Sequence, residues 1–153
     1  MGQQVILVSA CLLGVPCRYD GKSKAKAEVL ALQRERVLIP VCPEQLGGLP
    51  TPRLPAERQG EKICNRAGVD VSEAYERGAQ QALQLARLYG CRHALLKEKS
   101  PSCGSGLIYD GNFTGRLIPG QGMTAQLLQA AGIRVWGESQ AAELARLLKE
   151  EEG

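Results

Sequence analysis

QVILVSA, residues Gln4–Ala10, is a β-branched apolar run that opens into a polar, glycine-containing segment. Such a run is typical of a buried strand. Three further runs of this kind follow: VLIPVC (Val37–Cys42), HALLK (His93–Lys97) and IRVWGE (Ile133–Glu138). Helical patterns separate them. The alternation predicts an α/β fold, a single Rossmann-like domain of about four mainly parallel strands flanked by helices, with β-hairpin insertions.

The clearest helical pattern lies between the second and third runs. Ser72 is the predicted N-cap, and Gly90 is the predicted stop. The apolar face at helical spacing consists of Tyr75, Ala79, Ala82, Leu83, Ala86 and Tyr89. Shorter helices are predicted over residues 24–36 and 124–131 and from residue 139 onward.

Two segments interrupt the alternation and predict β-hairpins. Glu61–Val71 is expected to turn at Ala67-Gly68. Gly106–Gly122 contains Asp110-Gly111, which is a strong hairpin-turn signal. We expect the second segment to run strand, turn and strand, and then to enter a helix. Pro40 argues mildly against a central position for the second strand of the main sheet.

The bulk composition narrows the class of protein. The 153 residues carry a formal net charge of +3, which is too small to indicate a nucleic-acid partner. We predict one domain over 1–153, with a C-terminal helix and tail over 141–153. No run approaches the roughly 20 apolar residues of a membrane span, and the first residues lack the pattern of a signal peptide. We therefore expect a cytoplasmic protein that binds a small molecule, in an oligomeric state that the sequence does not define.

Three of the six cysteines follow predicted strands. Cys11, Cys42 and Cys103 come after the first, second and third strands, and Glu138 follows the fourth. Ligands of open parallel sheets bind beyond the carboxyl ends of the strands, so we expect the three thiols to meet there. Their spacing matches no C-x-x-C zinc pattern. Their placement instead favours iron or an iron–sulfur cluster, with one metal position left open.

Polar residues near these cysteines add to the prediction. Lys97, Lys99 and Arg18 are expected to lower the pKa of the thiols. Glu44 and Ser100 supply proton-transfer and hydrogen-bonding groups. The other cysteines and the single histidine give no clear indication of a site. Cys17 is a fourth ligand, a redox partner or a bystander, whereas Cys64, Cys91, His93 and Trp136 are interpreted as structural.

Five blocks of the chain resemble a known family. They are VSACLLGVPCRYDGKSK, PVCPEQLGGLPTPR, GVDVSEAYERGA, LLKEKSPSCGSGLIYDGNFTG and GQGMTAQLL…GI. In this order they resemble domain-of-unknown-function family 523, over about residues 4–139. Characterised members are thiouracil desulfidases, which carry a four-iron four-sulfur cluster on three cysteines and transfer sulfur to the open iron without net redox change.

The resemblance implies a role for particular residues. The matching cluster ligands are Cys11, Cys42 and Cys103, and Glu44 and Ser100 match the catalytic polar residues. Cys17 is not made a ligand. Lys97 is expected to stabilise developing negative charge. The predicted substrate contacts are Arg18, Tyr19, Asp20, Ser102, Gly104, Tyr109 and Phe113.

The leading prediction is an enzyme that removes sulfur from a thiolated pyrimidine such as 2-thiouracil. Two alternatives stay open at this point. One is a cluster- or zinc-binding sulfur-carrier or regulatory protein without turnover. The other is a metal-free enzyme that uses a cysteine thiolate as its nucleophile.

Overall fold

A computed structural model describes residues 4–152 of the chain. The elements of this range, in chain order, are β1 (Val5–Ser9), α1 (Ala27–Leu30), β2 (Val37–Val41), α2 (Pro43–Leu46), β3 (Ala56–Gln59), β4 (Lys62–Asn65), α3 (Ser72–Leu88), β5 (His93–Leu96), β6 (Ser105–Tyr109), β7 (Leu117–Gln121), α4 (Met123–Ala130), β8 (Arg134–Gly137) and α5 (Ala141–Glu152). Short 3₁₀ turns follow β1, α1 and β8, at Ala10–Leu13, Ala31–Arg34 and Glu138–Gln140.

The central sheet has four parallel strands in the order β2-β1-β5-β8. These are the four strands that the apolar runs predict, so the predicted α/β fold is confirmed. β5 is buried along its whole length, as expected of a strand covered on both faces. Pro40 lies in β2, an edge strand, where a residue without an N–H donor is tolerated.

Helices cover both faces of this sheet. Ile6 and Val8 of β1 point to one side, where they pack with Val29 of α1 and Leu144 of α5. Leu7 points to the other side, into a cluster formed mainly by α3 and α4. This alternation follows from the two-residue period of a strand. No helix within residues 4–152 is long and apolar enough to cross a bilayer.

Two antiparallel hairpins extend from the sheet. β6 and β7 pair as predicted, and Asp110-Gly111 lies in their connection. The other hairpin, which was not predicted, pairs β3 with β4 and turns at Gly60-Glu61. Gly60 adopts a φ of 63°, which suits a tight turn. The predicted turn at Ala67-Gly68 is also present: an antiparallel bridge joins Cys64 to Asp70 around it, and the Asn65 side chain accepts the amide protons of Ala67 and Val69.

The ends of α3 differ in detail from the prediction. Ser72 is the first helical residue rather than the N-cap. Its hydroxyl accepts the amide proton of Ile63 in β4, at 2.8 Å, and so ties the helix start to the hairpin. Gly90, with a φ of 67°, follows the helix end as predicted. Tyr89 lies beyond the last turn and is 49% exposed, so it does not belong to the buried face.

The predicted helix over residues 24–36 is shorter than expected. Its α-helical part is limited to α1, and the chain continues as the 3₁₀ turn Ala31–Arg34. Val29 and Leu32 are its buried residues. The segment therefore contributes two apolar anchors to the core rather than a full amphipathic face.

A contact between two backbones places α2 against α3. Gly47 and Gly78 face each other across this contact. A methyl group on Gly78 would overlap the carbonyl oxygen of Pro43, and one on Gly47 would overlap that of Ala74. Glycine at both positions therefore allows the short helix after β2 to lie directly on α3, which brings residues of α2 close to Tyr75.

Candidate active site

A cavity of about 340 Å³ lies beyond the carboxyl ends of β1, β2 and β5. This volume is at the lower end of the usual range for small-molecule sites. The structure brings nine of the predicted site residues to its wall: Cys11, Arg18, Tyr19, Cys42, Glu44, Lys97, Ser100, Cys103 and Tyr109. Residues separated by long stretches of sequence therefore meet where the strand topology predicts.

The three predicted ligand cysteines reach the cavity on three different local structures. Cys11 belongs to the 3₁₀ turn that follows β1. Cys42 is the extended residue before α2. Cys103 lies in the loop after β5, where hydrogen bonds to the Ser100 side chain form a tight turn. Cys11 and Cys103 are buried, and Cys42 is half-buried.

Cys17 is a fourth thiol in the same wall. It is buried, and the neighbouring Cys11 side chain raises the pKa of its thiol. The Cys42 thiol also donates to the Cys17 carbonyl oxygen, at 3.6 Å. Sequence reasoning left this cysteine open, and the structure places it in contact with two of the predicted ligands. Cys91 lies instead in the core beneath α3, which agrees with its structural interpretation.

Two of the three predicted ligand thiols, those of Cys42 and Cys103, are poor acids. Burial raises the pKa of Cys103 to about 12, and a hydrogen bond with Cys17 together with burial raises that of Cys42. The expectation that neighbouring cations lower these pKa values is therefore wrong for Cys42 and Cys103. At neutral pH Cys103 is a thiol, so the structure offers no ready thiolate nucleophile at this position.

The side chains that ligate metals are not arranged for a single ion. Within residues 4–152, no three His, Cys, Asp or Glu side chains are grouped in a way that would hold one metal ion. A zinc ion would require them to be close together, since its bonds to thiolate sulfur are about 2.3 Å long.

Glu44, in the first turn of α2, is held by two donors. Arg53 Nε lies 3.0 Å from Glu44 Oε1, and the Tyr75 hydroxyl lies 2.7 Å from the same oxygen. Both donors line the cavity. Sequence reasoning missed Arg53 and assigned Tyr75 to the packing face of α3. Only the contact between α2 and α3 shows that this tyrosine reaches a polar partner.

Lys97 and Glu138 form an ion pair at the edge of the cavity, with 3.0 Å between Nζ and Oε1. Glu138 Oε1 also accepts the amide proton of Glu98, at 2.8 Å. The Lys97 amide donates to Ser9 Oγ, at 2.9 Å. The ends of β1, β5 and β8 are thus joined by polar contacts, and the Lys97 ammonium has a fixed position. Ser9 also lines the cavity and was missed from the sequence.

The Ser100 hydroxyl shapes the loop that carries Cys103. Its Oγ accepts the amide protons of Ser102 and Cys103, each at 3.0 Å. An oxygen that accepts two hydrogen bonds still has its own proton to donate. Because Ser100 lines the cavity, this proton is available to a bound molecule.

Four predicted substrate contacts do not line the cavity: Asp20, Ser102, Gly104 and Phe113. Asp20 accepts the Lys22 amide proton and pairs with Arg18. Ser102 is fully buried and hydrogen-bonds Thr124. Arg66 stacks over the Phe113 ring, with 5.5 Å to its centroid.

Gly104 is the fourth predicted substrate contact outside the cavity wall. It packs on the backbone of Ser100, where a methyl group would come within 2.7 Å of the Ser100 carbonyl oxygen. These four residues shape the loops around the cavity. Glu57 of β3, which was not predicted, lines the wall and accepts the amide protons of Gly111 and Phe113, each at 3.0 Å.

The chain is similar to known proteins over most of its length. A solved structure named [4Fe-4S]-dependent thiouracil desulfidase TudS (DUF523Vcz) is 52% identical, with a TM-score of 0.91, and the match covers 96% of this chain and 99% of that one. Uncharacterized protein YbbK of Bacillus subtilis (strain 168) is 44% identical over 146 residues, which cover 89% of this chain and 97% of the relative. A family model for 2-thiouracil desulfurase matches residues 6–140. The resemblance to domain-of-unknown-function family 523 is confirmed, and the chain belongs to the 2-thiouracil desulfurase family.

Proposed function

We propose that this protein is an iron–sulfur cluster-dependent desulfidase that acts on a thiolated pyrimidine such as 2-thiouracil. The observation that carries the proposal is the cavity in which three strand-end cysteines meet Glu44 and Ser100. The family match and the 52% identical desulfidase structure support it. The reaction replaces C=S with C=O: water supplies the oxygen, and its two protons leave with the sulfur as hydrogen sulfide. No electrons are gained or lost.

Cys11, Cys42 and Cys103 would hold a [4Fe-4S] cluster as three thiolate ligands. The donor set fits, because thiolates are the usual ligands of such clusters and all six cysteines of the chain are free. When bound with three protein ligands, the cluster supplies an open Lewis-acidic iron with affinity for sulfur. Since burial keeps the Cys103 thiol protonated, the protein releases protons as these ligands are engaged.

Glu44 handles the protons of the reaction. Its carboxylate lies in the cavity wall with one oxygen held by Arg53 and Tyr75. As a general base it takes a proton from water while the water attacks the thiocarbonyl carbon, and it then returns the proton towards the departing sulfur. A carboxylate suits both steps because the same oxygen can accept a proton and later return it.

Ser100 and Lys97 stabilise charge on the substrate. The Ser100 hydroxyl donates its free proton to a ring oxygen or nitrogen that becomes negative as the water adds. Lys97 places an ammonium at the cavity edge, where the ion pair with Glu138 fixes its position. The pair also reduces the net charge that Lys97 presents, so Lys97 contributes less than an unpaired cation would.

The outer wall offers surfaces for a flat ring. Tyr19 is 40% exposed, and the Arg18 guanidinium lies 5.6 Å from its ring centroid. Tyr109, the last residue of β6, lines the same cavity. We assign Arg18, Tyr19 and Tyr109 to substrate contact. Asp20, Ser102, Gly104 and Phe113 act through the loops that they shape.

The test is anaerobic reconstitution with iron and sulfide, followed by visible absorbance, iron and sulfide analysis, and turnover of 2-thiouracil. The wild type is expected to bind about four irons and to release uracil and sulfide in equal amounts. Cys103→Ala should lose cluster absorbance and turnover, by more than about a thousandfold. Cys91→Ala is the matched control, because it removes another buried thiol that does not line the cavity. Undiminished turnover in Cys103→Ala, or a wild type that binds no iron, would rule out the proposal.

A further inference from the structure

We infer that Arg53 and Tyr75 are positioning residues that hold Glu44 by one carboxylate oxygen and leave the other, Oε2, free to serve the substrate. The inference rests on the proposed function, because it gives Glu44 a role in proton transfer. It assigns a task to two residues that the sequence did not mark as part of a site.

The contacts are one-sided. Arg53 Nε at 3.0 Å and the Tyr75 hydroxyl at 2.7 Å both bind Oε1 of Glu44. Within residues 4–152, no protein donor is hydrogen-bonded to Oε2. Two donors that converge on one oxygen fix the rotation of the carboxylate, and the second oxygen is then available to a molecule in the cavity.

Arg53 is itself immobilised. Its side chain is 6% exposed. Nη1 donates to the Pro50 carbonyl and to Thr51 Oγ1, at 3.1 and 3.0 Å, and Nη2 donates to the Cys17 carbonyl, at 2.9 Å. Each of its three nitrogens has a partner, so the guanidinium plane is fixed before it meets Glu44. Although burial opposes its charge, the Glu44 carboxylate raises the pKa of Arg53, which therefore stays charged.

Tyr75 supplies the second fixed donor. It is 2% exposed and belongs to α3, the longest helix of the described range. Burial raises the pKa of its hydroxyl well above the usual value, so the hydroxyl is protonated and donates at neutral pH. The contact of Gly47 and Gly78 brings the tyrosine to Glu44. The two helix backbones pack there so closely that a methyl group on either glycine would overlap the other helix.

Such fixation matters because a free glutamate side chain has many rotamers. Ordering it costs conformational entropy, which the fold has met before substrate binds. A displacement of about 1 Å at a reacting group is enough to reduce a rate roughly a hundredfold. The two donors are therefore expected to affect kcat more than KM, since they act on the chemical step rather than on substrate contact.

The first measurement compares kcat and KM in Tyr75→Phe, Arg53→Met and Arg53→Lys after anaerobic reconstitution. Loss of a hydrogen bond to a charged group predicts a kcat about 10- to 100-fold lower in Tyr75→Phe, with KM within about twofold. Arg53→Met should lose more, and Arg53→Lys should recover part of the loss because it restores a cationic donor. Cluster content should equal that of the wild type in each variant.

Two control variants, one on α3 and one just after its end, test whether the effect is merely structural. Arg77 binds the Gly47 carbonyl, at 2.9 and 3.1 Å, and so ties α3 to α2 without touching Glu44. Arg77→Met should lower the melting temperature but leave kcat within about twofold. Tyr89→Phe removes a tyrosine hydroxyl outside the cavity and should change neither the melting temperature nor kcat. A loss of kcat in Arg77→Met equal to that in Tyr75→Phe would overturn the inference.

The second measurement does not need turnover. In metal-free protein labelled with ¹³C at glutamate Cδ, the Glu44 carboxyl signal is assigned from its absence in Glu44→Gln. At one fixed pH, this signal should move in Tyr75→Phe and in Arg53→Lys but not in Arg77→Met or Tyr89→Phe. An unmoved signal in both Glu44-contact variants would overturn the inference. A wild type without turnover would instead contradict the proposed function, and the carboxyl signals would still decide whether the two donors hold Glu44.

Discussion

The two edges of the central sheet use polar side chains in opposite ways. At the carboxyl ends of the strands, Glu44 and Ser100 each keep one hydrogen-bonding position open towards a cavity. At the amino end of β5, His93 uses both of its ring nitrogens. Nδ1 accepts the indole proton of Trp136 at 3.1 Å, and Nε2 lies 3.5 Å from the Glu151 carboxylate.

This difference distinguishes a candidate catalytic group from a polar group that only joins structural elements. His93 is buried, and each of its ring nitrogens has a protein partner, so it joins β5, β8 and α5. Glu44 is held as firmly, but through one oxygen only. A polar group that is both fixed and incompletely satisfied is a better sign of function than a polar group that is merely buried. Variants at the two edges should therefore have different effects.

The largest expected difference is between Glu44→Gln and Glu151→Gln. Glutamine at residue 44 keeps an oxygen for Arg53 and Tyr75 but cannot accept the proton from water. We expect kcat to fall by about 10²–10⁴-fold, with KM and cluster content little changed. Glu151→Gln, at the opposite edge, should leave kcat within about twofold. Steady-state kinetics on reconstituted protein measure both, and a Glu44→Gln variant with more than a tenth of wild-type kcat would contradict the assigned role of Glu44.

A smaller effect is expected from Gly78→Ala, which disturbs the cavity edge through the backbone. In most helix interiors alanine is favoured over glycine by up to about 1 kcal/mol. Here the methyl group would overlap the Pro43 carbonyl oxygen, so α2 must move away from α3. We expect a loss of about 1–3 kcal/mol in the free energy of unfolding, and a kcat about tenfold lower because Glu44 moves with α2.

Denaturant titration and kinetics measure the two effects of Gly78→Ala. The control is Gln80→Ala, an exposed position of the same helix where alanine has room. This variant should be as stable as the wild type or slightly more stable. A stabilised Gly78→Ala variant would mean that the close contact of the two backbones does not hold Glu44 in place.

The two parts of the site differ in how well the sequence predicts them. Strand ends follow from apolar periodicity, and parallel strands bring their ends to one edge, so Cys11, Cys42 and Cys103 could be placed together before any coordinates existed. Arg53 and Tyr75 carry no such periodic signal. Arg53 reaches Glu44 from a loop, and Tyr75 falls on the apolar face of α3, where its hydroxyl finds a partner only because two glycines bring the backbones into contact.

The hairpin of β3 and β4, which the sequence did not predict, has a similar cause. Gly60 and Gly68 both adopt positive φ, and both close a turn. The first turn joins two strands that pair with each other, whereas the second is flanked by a single antiparallel bridge between Cys64 and Asp70. The expected lowering of the thiol pKa failed for a related reason, since the sequence displays nearby charges but not the burial that outweighs them at Cys103.

The smallest expected effect is a pH dependence of stability that arises from His93, at the edge of the sheet away from the cavity. Burial lowers the pKa of His93 below its usual 6.5, against the opposing effect of Glu151, and Arg134 and Arg92 act in the same direction as burial. The unfolded chain therefore takes up a proton more readily than the folded one, so stability falls as pH drops below about 6.5. Protonation of Nδ1 would also remove the acceptor of the Trp136 indole proton.

We expect the melting temperature to fall by roughly 2–4 °C between pH 7.5 and pH 5.5 because of this histidine. In His93→Gln, where an amide oxygen can accept the indole proton at every pH, this part of the fall should disappear, whereas kcat at pH 7.5 should stay within about twofold. Thermal melts of both proteins at the two pH values measure the difference. An equal fall in both would show that other groups account for the acid sensitivity. A loss of kcat in His93→Gln would show that the two edges of the sheet are coupled. The contrast between the cavity edge and the His93 edge would then not hold.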